Sequence, residues 1–123
     1  MSTVGKRILI AEDESSIAQA LKLKLDNLGH EVRVVNDGGE ALVLLEQNAY
    51  DLLLLDIMMP SKNGFEVMEF LKMKENKTPI IVSSNLSQEI DKQKATELGA
   101  SDFFVKSNTS LSEIVNKINE HLN

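Results

Sequence analysis

The sequence predicts an α/β domain in which a doubly wound, five-stranded parallel sheet is covered by five helices. Five short strand-like segments alternate with five segments of helical periodicity, and the connections between them are short. Right-handed crossovers leave few topologies for such an alternation. The 123 residues suffice for one hydrophobic core but not for two. We find no linker or repeat, so we expect residues 1–123 to form a single domain.

The first three elements follow from apolar runs and a helix stop signal. Arg7–Ala11 is a short apolar run, which is typical of a buried strand. Residues 15–28 place apolar side chains at helical spacing, and Gly29 provides the stop. Glu31–Val35 is rich in β-branched residues, which favours a second strand.

The next three elements are bounded by capping and turn residues. Asp37, with Glu40 three residues later, predicts the start of a helix that extends to about residue 47. Leu52–Asp56 contains four consecutive leucines and is followed by turn residues, which indicates a strand buried on both faces. Residues 64–75 are predicted to be a helix with one apolar face.

The last four elements complete the alternation. Residues 79–83 are the fourth predicted strand, since proline is tolerated at a strand's first position. Residues 87–98 are predicted to be helical, and Asp102–Val105 is a short fifth strand. Ser110 and Glu113 have the spacing of a capping box, which predicts the start of a final amphipathic helix.

Every predicted strand ends in polar residues on its C-terminal side, where open α/β sheets place their binding sites. In chain order they are Glu12 and Asp13, Asn36 and Asp37, Asp56, Ser83 and Ser84, and Lys106. If the strands before Glu12 and Asp56 are neighbours, three carboxylates share one pocket. Like charges at that distance repel each other, and a bound hard cation would relieve the repulsion.

The order of these groups resembles that of response-regulator receiver domains, the phospho-acceptor part of two-component signalling. The resemblance covers residues 6–122 and depends on four signals along the chain. These are an acidic pair after the first strand, Asp-x-x-x-Pro-x-x-x-Gly from Asp56 to Gly64, a hydroxyl after the fourth strand and a lysine after the fifth. The resemblance implies a flavodoxin-like fold with strand order 2-1-3-4-5.

The resemblance also implies roles for individual site residues. Asp56 corresponds to the phospho-acceptor, and Lys106 to the lysine that contacts the phosphoryl group. Glu12, Asp13, Asp56 and the backbone carbonyl of Met58 correspond to the ligands of Mg²⁺ or Mn²⁺. The alternatives are a structural carboxylate at Asp56, helix caps at Glu12 or Asp13, and an ordinary surface lysine at Lys106.

Three further positions resemble the family's switch and its neighbourhood. Ser84 corresponds to the switch hydroxyl, because its spacing to Lys106 fits the family better than that of Ser83. Phe103 occupies the position of the switch aromatic, and an ordinary core or surface role is the alternative. Ser107 stands where the family usually has proline, so we expect a trans peptide bond there.

Three residues near the predicted site bear on access to the phosphoryl group and on its lifetime, and a fourth is expected to have no special role. Asn85 is bulkier than the alanine or glycine usual in the family and is large enough to narrow access to the phosphoryl group. Met58 and Leu86 offer no amide or carboxylate to orient an attacking water, which predicts a long-lived acyl phosphate. Glu14 is expected to be only a favourable charge in the first helical turn.

Composition excludes several other classes of protein. The net charge of −6 argues against binding nucleic acid directly, and the absence of cysteine excludes disulfides and thiolate chemistry. No apolar segment approaches the roughly 20 residues that span a bilayer, and we find no signal peptide, so a cytoplasmic protein without membrane contact is expected. His30 and His121 lack triad partners and are predicted to lie at the surface.

The predicted function is to accept a phosphoryl group on Asp56 from a histidine kinase or phosphotransfer protein, and then to change binding to a downstream protein. We expect a monomer with no enzymatic turnover, although some family members dimerise when phosphorylated. The alternative is a receiver-like interaction module that works without phosphate. A phosphatase of the haloacid dehalogenase type is disfavoured, because Met58 stands where such enzymes have a second acid.

Overall fold

One parallel sheet with helices on both faces forms the architecture of the computed structural model, which describes residues 5–85 and 89–122. The strands are β1 (Arg7–Ala11), β2 (Glu31–Val35), β3 (Leu52–Asp56), β4 (Ile80–Ser84) and β5 (Asp102–Val105). The helices are α1 (Ser15–Asn27), α2 (Gly38–Gln47), α3 (Gly64–Met73), α4 (Glu89–Glu97) and α5 (Leu111–Leu122). The sheet order is β2-β1-β3-β4-β5, and all pairs are parallel. The predicted fold class and strand order are confirmed.

The core consists of two hydrophobic clusters, one on each face of the sheet. Alternate residues of β3 enter different clusters, as the two-residue period of a strand requires. Leu53 and Leu55 pack with residues of α2, α3 and α4. Leu52 and Leu54 pack with residues of α1 and α5. Asp56 follows Leu52 and Leu54 in this alternation, so its side chain begins on the face of the sheet that α1 and α5 cover.

Several element ends differ from the prediction by one or two residues. The fourth strand begins at Ile80 and ends at Ser84, one residue later than predicted at both ends. Helix α3 ends at Met73, and Glu75 adopts a φ of 55°, a left-handed conformation that cannot continue a helix. The described part of α4 begins at Glu89, so the predicted helical residues 87 and 88 lie outside the described residues.

Two features of the chain after β5 bear on the site. A short 3₁₀ helix, Lys106–Asn108, follows β5 directly and was not predicted. All peptide bonds within residues 5–85 and 89–122 are trans, which agrees with the expectation for Ser107. No helix in these ranges is both long enough and apolar enough to cross a membrane.

Each of the two histidines contacts a residue that is distant in the chain. His30 is only 6% exposed, and its Nδ1 accepts a hydrogen bond from the Lys6 amide at 3.3 Å. The prediction that His30 lies at the surface is therefore wrong. Its ring can be buried because the backbone amide of Lys6, just before β1, satisfies Nδ1. His121 is half-buried, and its Nε2 lies 3.0 Å from Asp102 Oδ2.

Candidate functional site

The candidate site lies at the carboxyl edge of the sheet, as the strand ends predict. Asp56 is the last residue of β3, and its side chain is 1% exposed. Glu12 follows β1 and is also buried, while Lys106 follows β5. Beyond Asp56 the chain is held by a hydrogen bond from the Ile57 amide to the Ser83 carbonyl. Burial among leucines therefore brings a carboxylate to a fixed place beside β1.

Lys106 is the cationic centre of the site. Its Nζ lies 2.8 Å from Glu12 Oε2, 2.9 Å from Asp56 Oδ2 and 3.2 Å from Glu14 Oε1. The lysine side chain is only 5% exposed. An ammonium has three N–H donors, so three carboxylates use its full capacity. The structure thus brings together Glu12, Asp56 and Lys106, as predicted from the sequence.

Glu14 belongs to the same cluster, which the sequence analysis missed. Besides its ion pair with Lys106, its Oε1 accepts a hydrogen bond from Asn85 Nδ2 at 3.2 Å. Its backbone amide donates to Glu12 Oε2 at 3.0 Å. The Glu14–Asn85 contact joins the loop after β1 to the loop after β4, so the Asn85 amide is part of the same cluster.

The acidic residues can provide a metal site. Glu12, Asp13 and Asp56 each offer a carboxylate oxygen, and these atoms lie within 4.8 Å of one another. Asp13 is exposed, whereas Glu12 and Asp56 are buried, so one ligand faces solvent. Within this group the donors are oxygen atoms only, which fits Mg²⁺ or Mn²⁺ better than a metal that prefers nitrogen or sulfur.

Burial and like charge shift the acidic pKa values in the direction expected for a cation site. Burial raises the pKa of Asp56 from 3.8 to about 6; Lys106 opposes this shift and Glu12 adds to it. The pKa of Asp13 is also raised, first by burial and then by its hydrogen bond and repulsion with Asp56. Without a cation, these two carboxylates therefore hold protons more readily than free aspartates do.

Favourable contacts shift the pKa values of Lys106 and Glu14. Burial alone would lower the pKa of the Lys106 ammonium, but hydrogen bonds and charges from Glu12 and Asp56 outweigh burial and raise the pKa overall. The hydrogen bond from Asn85, followed by the contact with Lys106, lowers the pKa of Glu14. The lysine is therefore a permanent cation at neutral pH.

The loop after β3 explains the spacing from Asp56 to Gly64. The Met58 amide donates to Asp56 Oδ1 at 3.2 Å, and the Met58 side chain is 60% exposed. The Gly64 amide donates to the Ile57 carbonyl at 2.9 Å. A Cβ at Gly64 would lie 2.6 Å from the Asp56 carbonyl oxygen, so only glycine fits this close approach.

The two candidate hydroxyls occupy different faces of β4. Ser84 is buried at the end of the strand, where it pairs with Val105. Phe103 is half-buried and packs against the cluster formed with α2, α3 and α4. Ser83 pairs in register with Asp56 and is buried as well. The switch roles of Ser84 and Phe103 stay predictions, and Leu86 lies outside the described residues.

Known proteins with similar sequence or structure point to one family. The model of the response regulator receiver domain family matches residues 8–119. The transcriptional regulatory protein DltR of Streptococcus agalactiae serotype III (strain NEM316) is 39% identical over 100 residues, which are 81% of this chain and 45% of that protein. PhoP, the alkaline phosphatase synthesis transcriptional regulatory protein of Bacillus subtilis (strain 168), is 37% identical over 103 residues, 84% of this chain and 43% of that protein. The chain thus spans less than half the length of these curated relatives.

The solved structures that this chain resembles include response regulators and their receiver domains. The receiver domain of the Francisella response regulator 1452 has a TM-score of 0.90 at 31% identity, covering 96% of this chain and 97% of that one. The phosphorylated cyanobacterial phytochrome response regulator RcpA has a TM-score of 0.81 at 29% identity, covering 95% of this chain and 91% of that one.

Proposed function

Because the chain belongs to the response regulator receiver domain family, we propose that residues 1–123 form one receiver domain that accepts a phosphoryl group on Asp56. The observation that carries this proposal is the position of Asp56. Its carboxylate is buried at the carboxyl edge of the sheet, 2.9 Å from the Lys106 ammonium and within 4.8 Å of two further carboxylates. RcpA, which is similar in fold and sequence, is phosphorylated in its solved structure.

A divalent cation fits this donor set, and Mg²⁺ or Mn²⁺ is the proposed cofactor. Glu12, Asp13 and Asp56 would hold the cation, together with the Met58 backbone carbonyl. When bound, the cation would neutralise charge on the phosphoryl oxygens during transfer. The exposed side chain of Asp13 is the ligand that an entering ion would meet first.

Asp56 is the proposed nucleophile. A carboxylate oxygen of Asp56 attacks the phosphorus of a phosphohistidine on a kinase or phosphotransfer protein. As the new O–P bond forms, the P–N bond breaks and its electron pair returns to the imidazole of the donor. The hydrogen bonds from the Met58 amide to Oδ1 and from Lys106 to Oδ2 fix the orientation of the carboxylate before transfer.

Lys106 provides the positive charge that this chain itself contributes to the transfer. The ammonium stays protonated at neutral pH because its anionic neighbours raise its pKa. It already contacts Asp56, so a small movement would place it against an oxygen of the incoming phosphoryl group. The domain would carry out its own phosphorylation but would not turn over a substrate like an enzyme.

The output of the proposed switch is a change in protein binding. Ser84 would move toward the new phosphoryl oxygens and Phe103 would change rotamer, reshaping the face formed by α4, β5 and α5 for a downstream protein. A phosphoryl group can shift this equilibrium only through contacts that differ between the two states. Met58 offers no side-chain group to orient water, so slow hydrolysis of the acyl phosphate is expected.

Phosphoryl incorporation tests the proposal directly. Wild type incubated with acetyl phosphate and MgCl₂ should gain the mass of one phosphoryl group, and Asp56→Asn should gain none. Asp51→Asn is a matched control, because Asp51 is exposed and precedes the opposite end of the same strand. Equal incorporation in wild type and Asp56→Asn would refute the assignment. No incorporation and no beryllofluoride binding in wild type would favour an interaction module that works without phosphate.

A further inference from the structure

Ser83 carries a buried hydroxyl that has no hydrogen-bond partner in the described part of the chain. The residue is 2% exposed, and among residues 5–85 and 89–122 no group forms a hydrogen bond with its Oγ. A buried hydroxyl without a partner destabilises a fold, so native structures contain few of them. An apolar side chain would suit this position in β4 better, unless the hydroxyl finds a partner in another state of the molecule.

Strand register places Ser83 beside the proposed phospho-acceptor. In the parallel pairing of β3 with β4, the partner of Ser83 is Asp56. Residues at the same register position of neighbouring strands point to the same face. Leu54 and Ile81, each two residues earlier, both pack in the cluster with α1 and α5. The side chains of Ser83 and Asp56 therefore begin next to each other on that face.

The Lys106 side chain extends across β4 on the face of the sheet that carries Ser83. The lysine follows β5, and β4 lies between β5 and β3, where its ammonium reaches Asp56. Ser83 pairs with Phe104, which packs in the cluster with α1 and α5 and is two residues before Lys106. Lys106 also lines a cavity of about 300 Å³ with residues of α1 and α5, which places its stem on that face. The side chain therefore passes over β4 near Ser83.

The hydrogen bonds of Lys106 must change when the site is loaded. Glu12, Glu14 and Asp56 now take all three N–H donors of the ammonium. A cation bound to Glu12 and Asp56, and a phosphoryl group on Asp56, would withdraw two of these acceptors. A phosphoryl oxygen replaces one acceptor, and one N–H donor still lacks a partner.

We propose, resting on the proposed function, that Ser83 is a positioning residue for Lys106 in the phosphorylated state. The Ser83 hydroxyl accepts a hydrogen bond from the remaining N–H of Lys106 and holds the ammonium against the phosphoryl oxygen. Both groups gain from this contact, because the hydroxyl acquires a partner and the ammonium keeps three acceptors. Ser84, on the other face of β4, keeps its separate proposed role as the switch hydroxyl.

Beryllofluoride binding in MgCl₂, as a stand-in for the phosphoryl group, tests this inference. Ser83→Ala should weaken beryllofluoride affinity by roughly tenfold or more, since a hydrogen bond to a charged group is lost. Ser83→Thr keeps the hydroxyl and should stay within about threefold of wild type. Ser101→Ala, which removes an exposed serine just before β5, should have no effect. In the metal-free protein, urea unfolding should show Ser83→Ala to be at least as stable as wild type.

The possible results separate this inference from the proposed function. If wild type binds beryllofluoride and Ser83→Ala binds equally well, the inference is wrong and the proposed function stands. If Ser83→Thr loses as much affinity as Ser83→Ala, the effect comes from packing, and the inference is again wrong. If wild type itself does not bind beryllofluoride, the proposed function fails, and the role of Ser83 fails with it.

Discussion

Replacing the proposed nucleophile should make the metal-free protein more stable. Asp56→Asn keeps the shape of the side chain and removes a charge that is buried beside Glu12 and Asp13. The fold raises the pKa of Asp56 from 3.8 to about 6. At about 1.36 kcal/mol per pH unit, this difference means that the ionised carboxylate lowers folding stability by about 3 kcal/mol at pH 7. Since asparagine resembles the protonated acid, the variant should recover most of that amount.

The gain in folding stability from Asp56→Asn should depend on pH in a defined direction. A carboxylate with a raised pKa favours the folded state below pH 3.8, where it is protonated in both states, and loses that contribution as the pH rises through about 6. Asparagine does not titrate. The advantage of Asp56→Asn should therefore be complete at pH 7, decline below pH 6 and disappear as the pH approaches 3.8.

Urea unfolding followed by circular dichroism, in EDTA and at low ionic strength, measures the effect. Glu46→Gln is the matched control: Glu46 is exposed on α2, and removing its charge should change the free energy of unfolding by less than about 0.5 kcal/mol. If Asp56→Asn were no more stable than wild type at pH 7, the reasoning that burial and repulsion strain this carboxylate would be refuted. A gain that persisted unchanged at pH 4 would refute it equally.

Three further predictions concern the cation, the Asp102 carboxylate with its basic neighbours, and the loop after β3. Magnesium at about 100 times its Kd should stabilise wild type by about 2.7 kcal/mol in urea titrations, and Asp56→Asn should lose most of that gain. The hydrogen bond with His121, and contacts with the Phe103 amide and Lys117, outweigh burial and lower the pKa of Asp102. Asp102→Asn should therefore be less stable at pH 7 by up to about 1 kcal/mol, with the difference fading as unfolding is measured below pH 3.8. Gly64→Ala should lower the free energy of unfolding by about 1–3 kcal/mol, because its Cβ meets the backbone of Asp56; an unchanged unfolding midpoint would contradict this.

The features predicted correctly from the sequence are those that local patterns encode. The run Leu52–Asp56 is apolar and ends in turn residues, so both the strand and the carboxylate at its end could be predicted. A parallel sheet then gathers all strand ends at one edge, which is why Glu12, Asp56 and Lys106 could be placed together from the sequence. The end of α3 could not be predicted from such patterns, because it depends on the left-handed conformation of Glu75.

What was missed depends on partners that are distant in the chain. An acidic residue at the start of a helix is common, so Glu14 gave no sign of a further role. Its partners Lys106 and Asn85 lie 92 and 71 positions away. The burial of His30 likewise follows from an amide 24 positions away, at Lys6. Sequence patterns place the residues that end the strands, but they do not reveal which other distant polar groups meet.

The imbalance of charge at the site connects its stability with its chemistry. Three carboxylates, from Glu12, Glu14 and Asp56, contact the ammonium of Lys106, and a fourth, from Asp13, lies beside those of Glu12 and Asp56. An incoming phosphoryl dianion would meet a net negative pocket, so transfer before cation binding is electrostatically opposed. The same excess of negative charge would attract the proposed divalent cation, whose binding would relieve the strain on Asp56. In the proposed function, cation binding would therefore precede phosphoryl transfer, and this order would follow from the same arrangement that is expected to lower the stability of the metal-free fold.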